Sequence, residues 1–302
     1  LRSHSSANLR VCYEIPNDDS FVNDDRDHYF RSFKLFMDQV KPRYAIPFAS
    51  NHCHLNYDGF KFNSYISDPV ELRSYMQRKF SDLSWDLQIM LPGSSWSSLT
   101  GFDLANEDCF NDKELYLKEY SIQVSDRIEY YKDRESKVKI NDIVMGKFEA
   151  LLKKSGASGY KGSIRFLITS PESIDDIGFK VKDGQVIPVN NISDVPKKNC
   201  PVIVMPNIVF RDASYKNMFH HAAISKRCRY IAFDQEDMIN LKSFVDLLER
   251  YELTGDVNLS YIFRLLRSYR GRWRELIVYV QALYLKKFKK LEMYQIEESI
   301  LK

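Results

Sequence analysis

Two apolar periodicities alternate along the chain, and each marks a kind of element. Leu9, Val11, Tyr13 and Ile15 share one face of a period-two segment, which predicts a strand that Pro16 to Ser20 then breaks. From Asp25 to Val40 the apolar positions Tyr29, Phe30, Phe33, Phe36, Met37 and Val40 recur at three and four residues. That spacing predicts a helix with acids in its first turn, closed by Pro42. The short apolar run from Tyr44 to Phe48 predicts a buried strand, so residues 9–48 read strand, helix, strand. A helix is predicted after Asp68-Pro69, a strand over Leu87 to Leu91, and a turn at Pro92-Gly93.

Helical sequence follows over Asp112 to Lys137. A second helix, Asn141 to Lys154, carries a stripe of Ile143, Val144, Phe148, Leu151 and Leu152. Small and flexible residues over 155–162 predict a linker and the main domain boundary. Strands are expected at Ser163 to Ser170, at 177–189 with Asp183-Gly184 as the hairpin turn, at 201–206, and at Cys228 to Phe233. Helices are expected over Gln235 to Tyr251, Asn258 to Tyr269, and Trp273 to about Lys290. The resulting division is 1–110, a helical connector 111–160, an α+β domain 161–234 and a helical tail 235–302, without an internal repeat.

Composition narrows the function classes only a little. A chain of 302 residues with 44% hydrophobic and 28% charged residues can build a substantial core. With 44 basic against 41 acidic residues, the net charge of +3 gives no global attraction to polyanions. The five cysteines, Cys12, Cys53, Cys109, Cys200 and Cys228, are scattered without a CxxC pair, which points to a reducing, cytoplasmic setting. No apolar run approaches the ~18 residues of a membrane span. The chain opens on Leu-Arg-Ser-His without a methionine and is expected to begin within a longer protein.

Chemistry-bearing side chains concentrate in RYAIPFASNHCHL, from Arg43 to Leu55, where a strand delivers Asn51, His52, Cys53 and His54 into a polar loop that continues to Asp58. Imidazole, thiolate and carboxylate at this density suit a metal site. His52 and His54 point the same way only on extended backbone, and a hydrogen-bonded loop is the competing account. His4 lies among Ser3, Ser5, Ser6 and Asn8, which together could hold a ligand or substrate group. Asp18, Asp19, Asp24 and Asp25 form an acidic run that would either line the same mouth or be a solvated loop. His220 and His221 precede Lys226 and Arg227, a further metal or anion point of which one histidine at most would serve. Glu172, Asp175 and Asp176 suit an N-terminal cap. From Tyr261 to Lys290 nine basic residues face Glu275 alone. Arg264, Arg267 and Arg270 are therefore candidates for phosphate or nucleic-acid contact, while the interleaved Trp273, Tyr284 and Phe288 fall at core spacing and read as packing.

The order of RSHSSA, an acidic loop, an amphipathic helix, VKPRYAIPFASNHCHL and LQIMLPGSSWS resembles the last part of a metallo-β-lactamase-fold hydrolase, over roughly residues 1–100. The stretch around IPFA is also similar to CMP-sialic acid hydroxylases, which would make this an oxygenase accessory domain. The hydrolase resemblance implies an α/β fold class, the second half of an αββα sandwich, followed by the α+β domain with its helical tail. It implies His52 as the last metal ligand, with His54 as an alternative ligand or a substrate group, and Asn51 and His4 on the substrate side. The implied cofactor is a divalent metal: zinc, with iron or manganese as alternatives. The implied chemistry is attack by metal-bound hydroxide on an ester, amide or phosphodiester of a small-molecule substrate. The family's HxHxDH motif does not occur in the 302 residues, so the chain is expected either to be completed by an N-terminal half or a second chain, or to be a degenerate relative without a working metal centre; a homo-oligomer is a further candidate partner. The reading from another class is a non-catalytic binding or assembly module whose basic tail contacts nucleic acid or protein.

Overall fold

The computed structural model describes residues 13–16, 18, 20–48, 53–56, 59–171, 177–190, 193–224, 227–255, 267 and 270–289. The chain is mixed α and β. Its largest feature is a six-stranded mixed sheet in the order β1-β10-β9-β6-β7-β8. The strands are β1 (Tyr13–Glu14), β6 (Ser163–Thr169), β7 (Ile177–Lys182), β8 (Gln185–Pro188), β9 (Val202–Pro206) and β10 (Arg229–Ile231). β6 lies parallel to β9 and antiparallel to β7, and β1 runs parallel to β10. The β7–β8 hairpin turns at Asp183 (φ 49°) and Gly184 (φ 73°), the pair of left-handed residues that a two-residue hairpin demands.

β6 and β9 are apolar on both faces, so the sheet has a core on each side. On one face Ile164, Phe166, Ile168, Phe179, Val181, Ile203 and Met205 meet three helices: α5 (Asp142–Ser155), α6 (Asn207–Lys216) and α8 (Gln235–Thr254). Phe148 of α5 packs against the rings of Phe166, Phe179 and Phe210 at 5.2, 5.6 and 5.1 Å, and Phe166 stacks on Phe179 at 4.9 Å. On the other face Leu167, Val202, Val204 and Ile231 form a smaller cluster.

The segment 155–162 is not a linker. Asn141 caps the start of α5, and Gly156 (φ 77°) ends it in the left-handed conformation that a helix C-terminus favours. Ser155 and Ala157 are buried, and α5, β6 and α8 share one core. The boundaries expected near 160 and 234 therefore cut through a single packed body, and β1 brings the N-terminal segment into the same sheet through Glu14, whose carboxylate takes both Nε (2.7 Å) and Nη2 (2.8 Å) of Arg229.

A second, smaller core joins α1 (Ser20–Val40), β2 (Tyr44–Ala45), α2 (Pro69–Lys79) and β3 (Asp86–Leu87). β2 and β3 pair in parallel. Phe30, Phe33 and Met37 of α1 bury against Leu72, Tyr75, Met76 and Trp85, whereas Phe36 and Val40 stay exposed, so the stripe is narrower than its spacing implied. α1 starts five residues earlier than expected, which moves Asp24 and Asp25 beyond its first turn. α2 begins as its sequence signals: Asp68 accepts from Val70 N (3.0 Å) and Glu71 N (2.8 Å), and the Glu71 carboxylate accepts from Asp68 N (3.2 Å). The hairpin β4 (Ser95–Ser97) with β5 (Gly101–Asp103), α6 and the short α7 (Phe219–Ile224) were not expected; α6 follows Pro206 with no side-chain cap to announce it. The helix predicted over 258–269 lies mostly outside the described residues.

The crossover from β8 to β9 is held from two sides. Arg165, buried on β6, donates to the carbonyls of Val195 (2.6 Å) and Ser193 (3.4 Å). Both oxygens of Asp237, in the first turn of α8, accept from Asn199 N–H at 3.0 Å. Burial pushes the Asp237 carboxyl above the ordinary aspartate value, an effect opposed by the Asn199 bond and reinforced by Asp234 and Glu236. Folding therefore favours its protonated form, a contribution fully present below pH ~4 and lost as pH rises through the raised value. Asp237→Asn keeps an acceptor for Asn199. In urea titrations the variant is expected to gain stability relative to wild type near pH ~7 and to lose that gain towards pH ~4. A difference that does not vary with pH would contradict this assignment.

Candidate functional site

β2 emerges from the small core with Ala45 and Pro47 buried, and its ladder to β3 is closed by Asp86 N donating to Arg43 O and Gln88 N to Ala45 O, both 3.0 Å. The ladder is shorter than the Tyr44 to Phe48 run, and Ile46 and Phe48 are exposed. Asn51 and His52 lie outside the described residues, as do His4 and Arg264.

At Cys53 and His54 a side chain fixes the backbone. Asn63, buried in a single 3-10 segment from Phe60 to Tyr65, accepts from His54 N through Oδ1 and donates through Nδ2 to His54 O, each at 2.8 Å. Its Nδ2 also donates to Phe60 O at 2.8 Å. This is the pairing a neighbouring strand would give, supplied by one amide, so His54 has a fixed position without belonging to a sheet. The side chain is half-buried, and Nε2 is shielded from solvent. Burial pushes the Cys53 thiol up, opposed by its own backbone contact and by Lys113, and burial likewise raises Cys109. Neither thiol is activated as a nucleophile.

Leu55 and Phe60, on either side of that clamp, form one wall of a cleft of ≈ 620 Å³. The opposite wall comes from the junction of α3 (Lys113–Gln123) and α4 (Ser125–Ser136), with Ile122 and Ile128 apolar and Ser121, Ser125, Glu129 and Lys132 polar. Pro171, just beyond β6, closes one end. The cleft thus lies beside the C-terminal end of a central strand, a usual place for ligands in α/β sheets, and has apolar walls with few polar groups. Nothing in the local sequence marked it, because its walls come from segments around 55, 125 and 171. A second cavity of ≈ 320 Å³ lies across the same strand end, lined by Thr169, Ser170, Lys139 and Asn207.

The other candidates separate. Asp18 takes a bond from Gln235 Nε2 on α8 at 3.3 Å. His221 Nδ1 pairs with Glu252 of α8, and Arg227 pairs with Glu135 at the end of α4, so these two residues do not form a common anion point. Residues 172–176, which hold Glu172, Asp175 and Asp176, lie outside the described residues. Arg267 and Arg270 are exposed. Among the described residues no group of three His, Cys, Asp or Glu side chains could hold a metal ion, so His54 by itself does not make a metal centre. No described helix is long and apolar enough to cross a membrane. Compared with protein-family models, curated proteins and solved structures, the chain has no match.

Proposed function

We propose that the loop around His54 and the cleft beside it form the substrate side of a metal-dependent hydrolase of metallo-β-lactamase-like type, acting on an ester, amide or phosphodiester. The observation that carries the reading is the Asn63 clamp, which holds His54 next to cleft-lining Leu55 and Phe60. A two-bond side-chain brace on a histidine backbone, tied by a third bond to Phe60 O, is the kind of support a ligating or substrate-orienting imidazole requires. The described residues supply no complete ligand set, so the reading assigns them positioning and binding only. Asn63 positions His54, the apolar walls take the body of the substrate, and Lys132, which lines the cleft 3.7 Å from Glu129, exchanges that carboxylate for an anionic group of the substrate. The remaining ligands would come from His52 and from an N-terminal half or second chain.

The test is metal content of the intact protein. About one zinc, iron or manganese ion per chain is expected, lost in His52→Ala and in His54→Ala. Asn63→Ala leaves the His54 backbone groups short of their partners; it should lower stability by about 1–3 kcal/mol and weaken metal retention without removing a ligand. Metal content unchanged by both histidine substitutions would overturn the proposal. A non-catalytic binding module is the second reading, favoured by the exposed apolar face of the last described helix.

A further inference from the structure

The last described helix, α9 (Trp273–Phe288), carries a row of exposed apolar side chains along one face, with the apolar Val278 (42% exposed) outside it. Trp273, Ile277, Val280, Tyr284 and Phe288 are between 46% and 67% exposed, and no described side chain covers them. At about 100° per residue these positions fall within an arc of about 80°, a single continuous stripe. Rows of large apolar groups on one helix face are unstable in water unless something else meets them.

The charges beside the stripe say what that is. The Arg274 guanidinium lies 5.6 Å from the Trp273 ring centre, and Lys287 Nζ lies 5.8 Å from the Phe288 ring centre. A cation thus stands beside the terminal aromatic at each end. Arg270 and Lys289 are exposed just beyond the helix. The one acid of the helix, Glu275, is about half a turn away from the stripe and is held by Arg272, which keeps its carboxyl below the ordinary range. A second copy of α9, parallel or antiparallel, would bring like charges together at the stripe's ends. A surface that is apolar inside and negative at its boundary matches instead.

We propose that α9 docks flat on an anionic phospholipid surface, with the stripe among the upper acyl chains and Arg274 and Lys287 among the headgroups. Tryptophan, tyrosine and basic side chains are the residues that favour this interface. Sixteen residues span about 24 Å, short of the ~30 Å hydrocarbon core, so the helix lies along the surface rather than across it. This docking does not depend on the hydrolase reading.

The experiment is co-sedimentation of the 302-residue chain with vesicles of phosphatidylcholine, alone or with about 30% phosphatidylserine. Pelleting is expected with the anionic vesicles only, and should weaken as salt rises. Ile277→Ser with Val280→Ser, both at exposed positions, should weaken it at least about tenfold at unchanged circular dichroism. Arg274→Gln with Lys287→Gln should weaken it roughly ten- to thirtyfold. The proposal is overturned if the chain stays in the supernatant, if it pellets equally with phosphatidylcholine alone, or if the Ile277→Ser, Val280→Ser variant pellets as wild type does. It is also overturned if sedimentation velocity shows a dimer that this variant dissolves while vesicles go unbound, or if the stripe captures an acidic peptide or RNA and not vesicles.

Discussion

Phe148→Ala is expected to lower the unfolding free energy by about 3–5 kcal/mol, the largest effect of any single truncation in this chain. Phe148 is fully buried at the crossing of α5 with the sheet, and its ring meets four others, Phe166, Phe179, Phe210 and Phe219, the last at 5.9 Å. Removing it deletes the transfer free energy of the ring and leaves a void. The void cannot close cheaply, because Phe166 and Phe179 are fixed in stacked geometry by paired strands, and Phe210 by a separate helix. Phe148→Leu keeps much of the volume and should cost less than about half as much. Urea unfolding with an unchanged slope is the measurement. A loss for the alanine variant under about 1 kcal/mol would mean that α5 does not belong to this core.

The second large effect is expected at the ion pair between Glu135 and Arg227. Their side chains are 4% and 17% exposed, and Nη2 lies 2.8 Å from Oε2. Glu135 ends α4 beside the turn that Asn207 secures by donating to the carbonyls of Glu135 (3.1 Å) and Val138 (2.9 Å). The pair therefore ties α4, which walls the cleft, to the connection between α7 and β10. Glu135→Ala removes the carboxylate that neutralises a mostly buried guanidinium and should cost about 2–4 kcal/mol, somewhat under the figure for fully sealed pairs because Arg227 keeps some solvent. Glu135→Leu with Arg227→Met removes both charges and should recover most of the loss. Additive losses in that double variant would show that the two side chains are not coupled.

Much of the local architecture could be read from the residues themselves. Asp68-Pro69 announced α2, Asn141 and its stripe announced α5, and Asp183-Gly184 announced the β7–β8 turn. In each case the signal is a short-range hydrogen bond or a backbone dihedral preference, both carried by adjacent residues. Where the expectation failed, the deciding partner was remote. The residues at 155–162 look flexible by composition, yet Ala157 is buried because α5 must pack on the sheet that follows. The aromatics of α9 sit at core spacing, yet Trp273, Tyr284 and Phe288 face outward.

The candidate site divides in the same way. The density of imidazole, amide and thiol groups between Asn51 and His54 was visible in the chain, and so was the strand that leads to it. The Asn63 brace was not, since an asparagine nine residues away carries no sign of what it will hold. Nor was the cleft, whose walls approach only when the α3–α4 junction lies against the loop and Pro171. Sequence by itself determined many of the helices and strands, because those choices follow from torsional preference and apolar period, though not the β4–β5 hairpin, α6 or α7. Tertiary structure alone decided that Glu14 joins Arg229 across 215 residues, and which apolar faces find cover. Period shows that a face is apolar, but the burial energy depends on which neighbour arrives, and no local pattern specifies that neighbour.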